Sequence, residues 1–375
     1  MSPQQDETPT PQEGQETPDY PTSDEVQTLL LIIPAIPAGL RKRLHDAHCH
    51  PTDHPETLSF IDTEASGSLG AMATRPNDQT LVEGFAKDNQ PTVIPFFGIH
   101  PWFAHLYAVD GNSEHYETIL RPSPPEEFLS HLPKPLSWAD YLKDLRDRLV
   151  SNPKAQVGEI GVDKSFRLPT HTNGERDVSS RRELSPHKTT QEHQIRIFMD
   201  QCKLAGEFNR AVSVHGVQCH GLVFTTLQSL WKGHENKSKG YQKREKKSLT
   251  GHPDDTEDGR PLSISLPYPP RICLHSSSLP IETVKQYLQP SVPATVYFSF
   301  STVINARYGQ KLLDLISAIP EDRILIESDW HSEGRIRRSQ LHDIARLVIH
   351  QKKWSIEDGI TQLENNFFNF VYGGS

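Results

Sequence analysis

From residue 44 onward, short apolar runs recur along the chain, separated by longer polar or amphipathic stretches. This alternation narrows the available folds more than any other feature. The runs are LHDAHC from 44, SLGAMAT from 68, TVIPFFGI from 92, AQVGEIGV from 155, AVSVH from 211, RICLH from 271, ATVYFSF from 294 and RILIES from 323. Each reads as a strand. SWADYLKDLRDRLV before the fourth run and QEHQIRIFMDQCKLAGEF before the fifth carry apolar residues at three- and four-residue spacing, which predicts amphipathic helices. SQLHDIARLVIHQKKW after the eighth run predicts another, and a last helical stretch ends near NNFFNFVYG. Eight strands alternating with helices close most economically as an α/β (β/α)8 TIM barrel.

A chain of 375 residues is longer than a minimal barrel needs, and its 30 prolines point to loop-rich additions. Residues 1–22 have the composition of a disordered tail, which leaves 23–375 as a single barrel domain. Insertions are expected as surface loops at about 104–136, which is Pro-rich and irregular, at 165–190, and at 232–268, where a basic half precedes an acidic half. The KREKK run at 243–247 reads as a solvated stretch, with a nuclear-import or phosphate-binding patch as its functional alternative. LLLIIPAIPAGL at 29–40 is too short to span a bilayer and is broken by Pro34 and Pro37, so it is expected to pack on the barrel rather than in a membrane.

Charge and cysteine content bound the function. A net charge of −9 argues against a broad basic face for nucleic acid, so any such contact should be local and metal-centred. The four cysteines lack CxxC pairing, and the opening MSPQQDETPT has no positively charged n-region. Reduced thiols in a cytoplasmic or nuclear protein are expected.

Ligand-type residues gather where the strands run out. His48-Cys49-His50 ends the first strand, and alternate strand residues share a face, so both imidazoles can address one cation while Cys49 enters the wall. Glu159 in VGEIGVD, His215 in VSVHG, His275 in ICLHS and Asp329 in LIESDWH stand at the corresponding ends of the fourth, fifth, sixth and eighth strands. Barrel enzymes place their catalytic groups at this end. Any one of these residues could simply be a hydrogen-bonded polar group. Together they would repel, shift their pKa values or go unpaired without a cation among them. Six ligands exceed the needs of one catalytic ion with a position open to water, so two divalent ions are expected, with Glu159 as the natural bridge.

LHDAHCHPTD, GIHPWF, VGEIGVD, SVHG, CLHS and LIESD resemble, in order and spacing, the successive motifs of the TatD family of metal-dependent deoxyribonucleases, within the amidohydrolase-like metallohydrolases. The match runs from about 44 to the C-terminus, and Gln194, Phe198 and Gln201 fall at the family's spacing before SVHG. The resemblance implies that His48, His50, Glu159 and Asp329 hold one ion and that Glu159, His215 and His275 hold the other. Asp329 and Glu159 would be catalytic, Asp329 orienting or deprotonating the attacking water. His100 would either approach the substrate phosphate or buttress the ligands. Zinc, magnesium or manganese would serve, and DNA would be cut exonucleolytically, 3′ to 5′. Ser276-Ser277-Ser278 after His275, Gly216-Val217 after His215 and Ser328 in ESD depart from the family pattern at the substrate-facing rim.

Two other functions fit the same residues. The metals could polarise a carbonyl, giving an amidohydrolase for a small cyclic amide or ester; basic groups over the metals would favour phosphate, and a closed apolar pocket the amide. The barrel could also serve as a scaffold that binds a protein partner through the 104–136 and 232–268 loops.

Overall fold

In a computed structural model of the chain, which describes residues 22–61, 67–111, 114–170, 183–237, 265–331 and 334–374, each of the eight runs is a strand. They are β1 (Asp46–Cys49), β2 (Leu69–Met72), β3 (Val93–Phe97), β4 (Gln156–Asp163), β5 (Ala211–Val217), β6 (Arg271–Leu274), β7 (Thr295–Phe300) and β8 (Ile324–Ile326). They form one eight-stranded sheet in chain order, every neighbouring pair parallel. Parallel neighbours require crossover connections, and those connections are the helices. The seam between β8 and β1 is bridged just past the strand ends. Asp329 N donates to His48 O at 3.0 Å and His50 N to Trp330 O at 2.8 Å. Asp46 accepts from Ser328 N at 2.9 Å and from Ser328 Oγ at 2.6 Å. The result is a (β/α)8 barrel.

Two apolar layers hold it. Inside, Ala47, Met72, Ile94, Phe96, Ala211, Cys273, Tyr297 and Leu325 fill the floor with Phe367, Phe370 and Val371 of the helix Ile356–Tyr372. That helix closes the N-terminal mouth, because Asn366 Nδ2 donates to Ile324 O at 2.8 Å and Arg271 Nε to Phe370 O at 2.7 Å. The larger layer lies between strands and helices. The helix Trp138–Ser151 buries Trp138, Tyr141, Leu145 and Leu149, and Ser137 caps it by accepting from Asp140 N at 3.2 Å. Burying each such leucine contributes about 1.5–3 kcal/mol.

The helix Gln191–Glu207 also turns amides inward. Gln194 Oε1 accepts from Asp163 N at 2.8 Å and Gln201 Oε1 from Ile99 N at 2.8 Å, so residues two turns apart pin the ends of β4 and β3 beside the barrel mouth. At the N-terminus, Asp24–Ile32 is a helix whose Val26 and Leu30 are buried together with Ile33 and Ile36. Arg346 reaches the Leu30 carbonyl at 2.7 Å and the Ile33 carbonyl, so the 29–40 run packs on the barrel. No helix among the described residues is long and apolar enough to cross a membrane.

The insertions differ from the expectation of irregular surface loops. Segment 104–136 carries helices His115–Ile119 and Glu126–Ser130, and Leu120–Arg121 pairs antiparallel with Lys188–Thr189 of the second insertion. Tyr116, Ile119 and Leu120 make a small core with Leu168. The apolar residues are too few and too scattered between prolines to show a period, yet two insertions brought side by side bury them jointly. Residues 171–182 and 238–264 lie outside the described residues, as do the KREKK run and all of the expected tail but its last residue.

Candidate metal centre

β1 ends by presenting His48 and His50, and β4 delivers Glu159 through an irregularity. The register between β4 and β5 shifts between Val157 and Ile160, which re-aims the intervening residues and places Glu159 in the barrel mouth. Asp329 follows β8 with φ 50°. An ordinary residue seldom occupies this region, and here it is held by the His48 carbonyl across the seam.

All seven expected residues meet at the C-terminal mouth, every one of them largely buried. Two imidazole pairs border Glu159, and one ring of each, His48 and His275, stack with centroids 4.0 Å apart. His48 Nε2 lies 3.0 Å from His50 Nε2, and these nitrogens are 3.5 and 3.3 Å from Glu159 Oε2. Asp329 Oδ1 stands 3.7 Å from the first and 3.5 Å from the second. On the other side, His215 Nδ1 and His275 Nε2 are 3.3 Å apart and lie 2.9 and 2.8 Å from Glu159 Oε1. Each oxygen of one carboxylate therefore serves its own pair.

The outer ring nitrogens are held by groups behind the centre. His48 Nδ1 is 2.7 Å from Ser213 Oγ, and His215 Nε2 is 3.1 Å from Asp163 Oδ2. Carboxylate Asp163 can only accept, so His215 carries a proton on Nε2, which leaves Nδ1 as the nitrogen that would meet a cation. His100 has the opposite arrangement. Its Nδ1 accepts from Trp102 N at 3.1 Å, which puts the proton on Nε2, 3.2 Å from Glu159 Oε1. That seats His100 against Glu159. Glu327, 3.6 Å from His275 Nδ1, takes hydrogen bonds from Ser276 N at 2.8 Å and Ser276 Oγ at 2.6 Å. Asp163, Ser213 and Glu327 were not singled out from the sequence. Asp163 lies in the quoted VGEIGVD motif, but its role depends on a histidine of the next strand.

The electrostatics suit cations. Burial alone would raise the Glu159 carboxyl, yet the surrounding imidazoles of His100, His275 and His48, with a hydrogen bond from His100, hold it well below the usual carboxylate range. Burial strips protons from His48 and His100, the latter pushed down to about 4. At His50 burial is outweighed by the facing Asp329 and Glu159, which lift it to about 9, and at His275 by Glu159 and Glu327. Acidic groups so arranged collect positive charge. His48, His50 and Asp329 form one group able to hold a metal ion, and His50 Nδ1 and His275 Nδ1 have no hydrogen-bond partner among the described residues. Imidazole nitrogens converging on ionised carboxylates are a donor set for divalent metals, and a cation would displace the protons that the carboxylates now attract.

Comparisons with known proteins agree with this chemistry. Residues 45–372 match the family described as TatD related DNase. The Cut9-interacting protein scn1 of Schizosaccharomyces pombe is 39% identical over 340 residues, which cover 87% of this chain and 98% of that one. The uncharacterized deoxyribonuclease YMR262W of Saccharomyces cerevisiae is 30% identical over 300 residues, covering 77% and 83%. Among solved structures, the TatD homologue YJJV of Escherichia coli shares the fold with a TM-score of 0.53 at 17% identity, over 88% of this chain and 98% of that one.

Proposed function

The chain belongs to the TatD-related DNase family of metal-dependent hydrolases, and on that premise we propose that it is a deoxyribonuclease working with two divalent ions, zinc, magnesium or manganese. The observation that carries the reading is the division of Glu159: Oε2 faces His48 and His50, and Oε1 faces His215 and His275. His48, His50, Glu159 and Asp329 would hold one ion; Glu159, His215 and His275 would hold the other. Such ions supply Lewis acidity, lowering the pKa of water and neutralising charge on phosphoryl oxygens.

The protein's own groups do the rest. Asp329, held below the usual carboxylate range against the contrary pull of burial by His50 and its neighbours, is ionised and can take a proton from the attacking water. Asp163 and Ser213 fix ring orientation at His215 and His48, and His100 steadies Glu159. Membership of the family supports a phosphodiester over an amide. His331, half exposed, stacks on His50 with ring centroids 4.7 Å apart, and Arg75 joins it at Asp53. The substrate is then a DNA end, degraded 3′ to 5′.

Stripping the protein with a chelator is expected to abolish oligonucleotide cleavage, and adding back zinc, magnesium or manganese to restore it. Single-stranded DNA, duplex DNA, a simple phosphodiester and a cyclic amide make the discriminating panel. Turnover confined to the amide would hand the site to the amidohydrolase reading.

Asp163→Asn keeps the shape of the side chain and removes its charge. Metal affinity should fall about tenfold, read from the chelator concentration that strips half of the bound metal. An unchanged stripping curve would take Asp163 out of the centre.

A further inference from the structure

Trp102 and Phe166 lie in different loops, after β3 and after β4, yet their rings stack with centroids 5.1 Å apart at 14°. Trp102 is 41% exposed. A side chain this large is usually mostly buried, and a fixed ring left in solvent beside a reactive centre calls for a reason. Its centroid is 4.8 Å from that of His100 and 6.2 Å from that of His215, so the stack stands within one nucleotide's reach of Glu159.

The pair is also held rigidly. Trp102 Nε1 donates to Asp163 Oδ2 at 2.7 Å, while Phe166 N and Ser165 N donate to Asp163 Oδ1 at 3.0 and 2.7 Å. One carboxylate thus anchors both loops and the ring of His215. The indole N–H is used up inside the protein, which leaves the exposed part of the stack with π surface to offer and no spare donor. A flat aromatic partner satisfies such a surface, and stacking accepts any base because every base has a π face.

We infer that the Trp102–Phe166 stack is a platform for the nucleobase adjoining the bond to be cut. The inference rests on the nucleic-acid reading above and adds to it the element that seats the base. It makes the enzyme tolerant of base identity but dependent on a base being present. Because Asp163 ties the platform to His215, a seated base is registered against the centre itself.

The test uses the metal-loaded protein and phosphorothioate oligonucleotides that resist cleavage. One ends in 2-aminopurine, and the other carries a propyl spacer in place of the terminal base. Wild type should quench 2-aminopurine emission on binding. Phe166→Leu, which leaves the indole hydrogen bond in place, should weaken binding of the base-bearing end about tenfold and lessen the quench. Trp102→Leu should do the same, whereas Trp102→Phe, which keeps a ring but not the N–H, should retain most of the binding. The spacer oligonucleotide should bind wild type weakly and Phe166→Leu equally so. Equal losses on both oligonucleotides, or an unaltered quench in Phe166→Leu, overturn the platform while cleavage by wild type leaves the nuclease reading standing. Failure of wild type to bind or cut any oligonucleotide overturns both.

Discussion

Replacing Glu159 by alanine should lower kcat/KM for oligonucleotide cleavage by about a thousandfold or more and reduce bound metal below two equivalents. The size of the effect follows from the position of the side chain. Its two oxygens face separate imidazole pairs, so one truncation removes a donor from both halves of the centre. It also removes the anionic group that draws His275 and His50 to carry charge, leaving five imidazoles around a gap with Asp329 and Asp163 at its edges. Glu159→Gln keeps one carbonyl oxygen and should fall between alanine and wild type in metal content. Metal analysis and cleavage measured on the same preparations check both quantities. Cleavage by Glu159→Ala at the wild-type rate would remove the centre from the reaction.

Gly161→Ala should destabilise the fold by about 3 kcal/mol, a drop of several degrees or more in Tm. Gly161 has φ 151°, and a Cβ there would stand 2.1 Å from the His215 carbonyl oxygen. The obstacle is the backbone of the paired strand, since Gly161 is registered directly against His215, so it cannot swing aside as a flexible side chain would. Relief requires β4 and β5 to move apart, carrying Glu159 and Asp163 away from His215. Thermal unfolding of metal-free wild type and variant isolates the steric effect from any loss of metal. Gly84, inside the helix Asp78–Asp88 with nothing within 4 Å of its would-be Cβ, is the control in which alanine should be tolerated. Equal Tm values for Gly161→Ala and wild type would show that the two strands have room to spare.

Much of this was legible in the chain because strand alternation and strand ends are local signals. Each of the eight runs could be read without knowing its partners, and a ligand-type residue at the end of a run reports its place in a parallel barrel whatever its neighbours are. His48, His50, His215, His275 and Asp329 were placed at the mouth in this way, whereas Glu159 lies in the middle of β4 and reaches the mouth through the register shift. What escaped is relational. Asp163 matters because Gly161 brings β4 into register with β5, and Ser213 because its hydroxyl meets a histidine 165 residues earlier. His100 could be placed at the mouth, but which nitrogen bears its proton depends on the backbone amide of Trp102. The 104–136 insertion looked irregular for the same reason: its buried residues have partners in another insertion rather than a period of their own. Ser328 is the converse case. It departs from the family pattern, yet its hydroxyl reaches Asp46 and stitches β8 to β1.

The stitching between the first and last staves has an effect on how the molecule opens. His48, His50 and Asp329 supply backbone bonds across that join as well as side chains to the centre. A cation gripped by the three would act as a clasp on a hoop, resisting the parting of its two ends, and emptying the clasp would loosen the hoop at the same place. Cofactor loading and shape retention would then depend on the same few residues, and a metal-free protein would be the one whose wall is readiest to part.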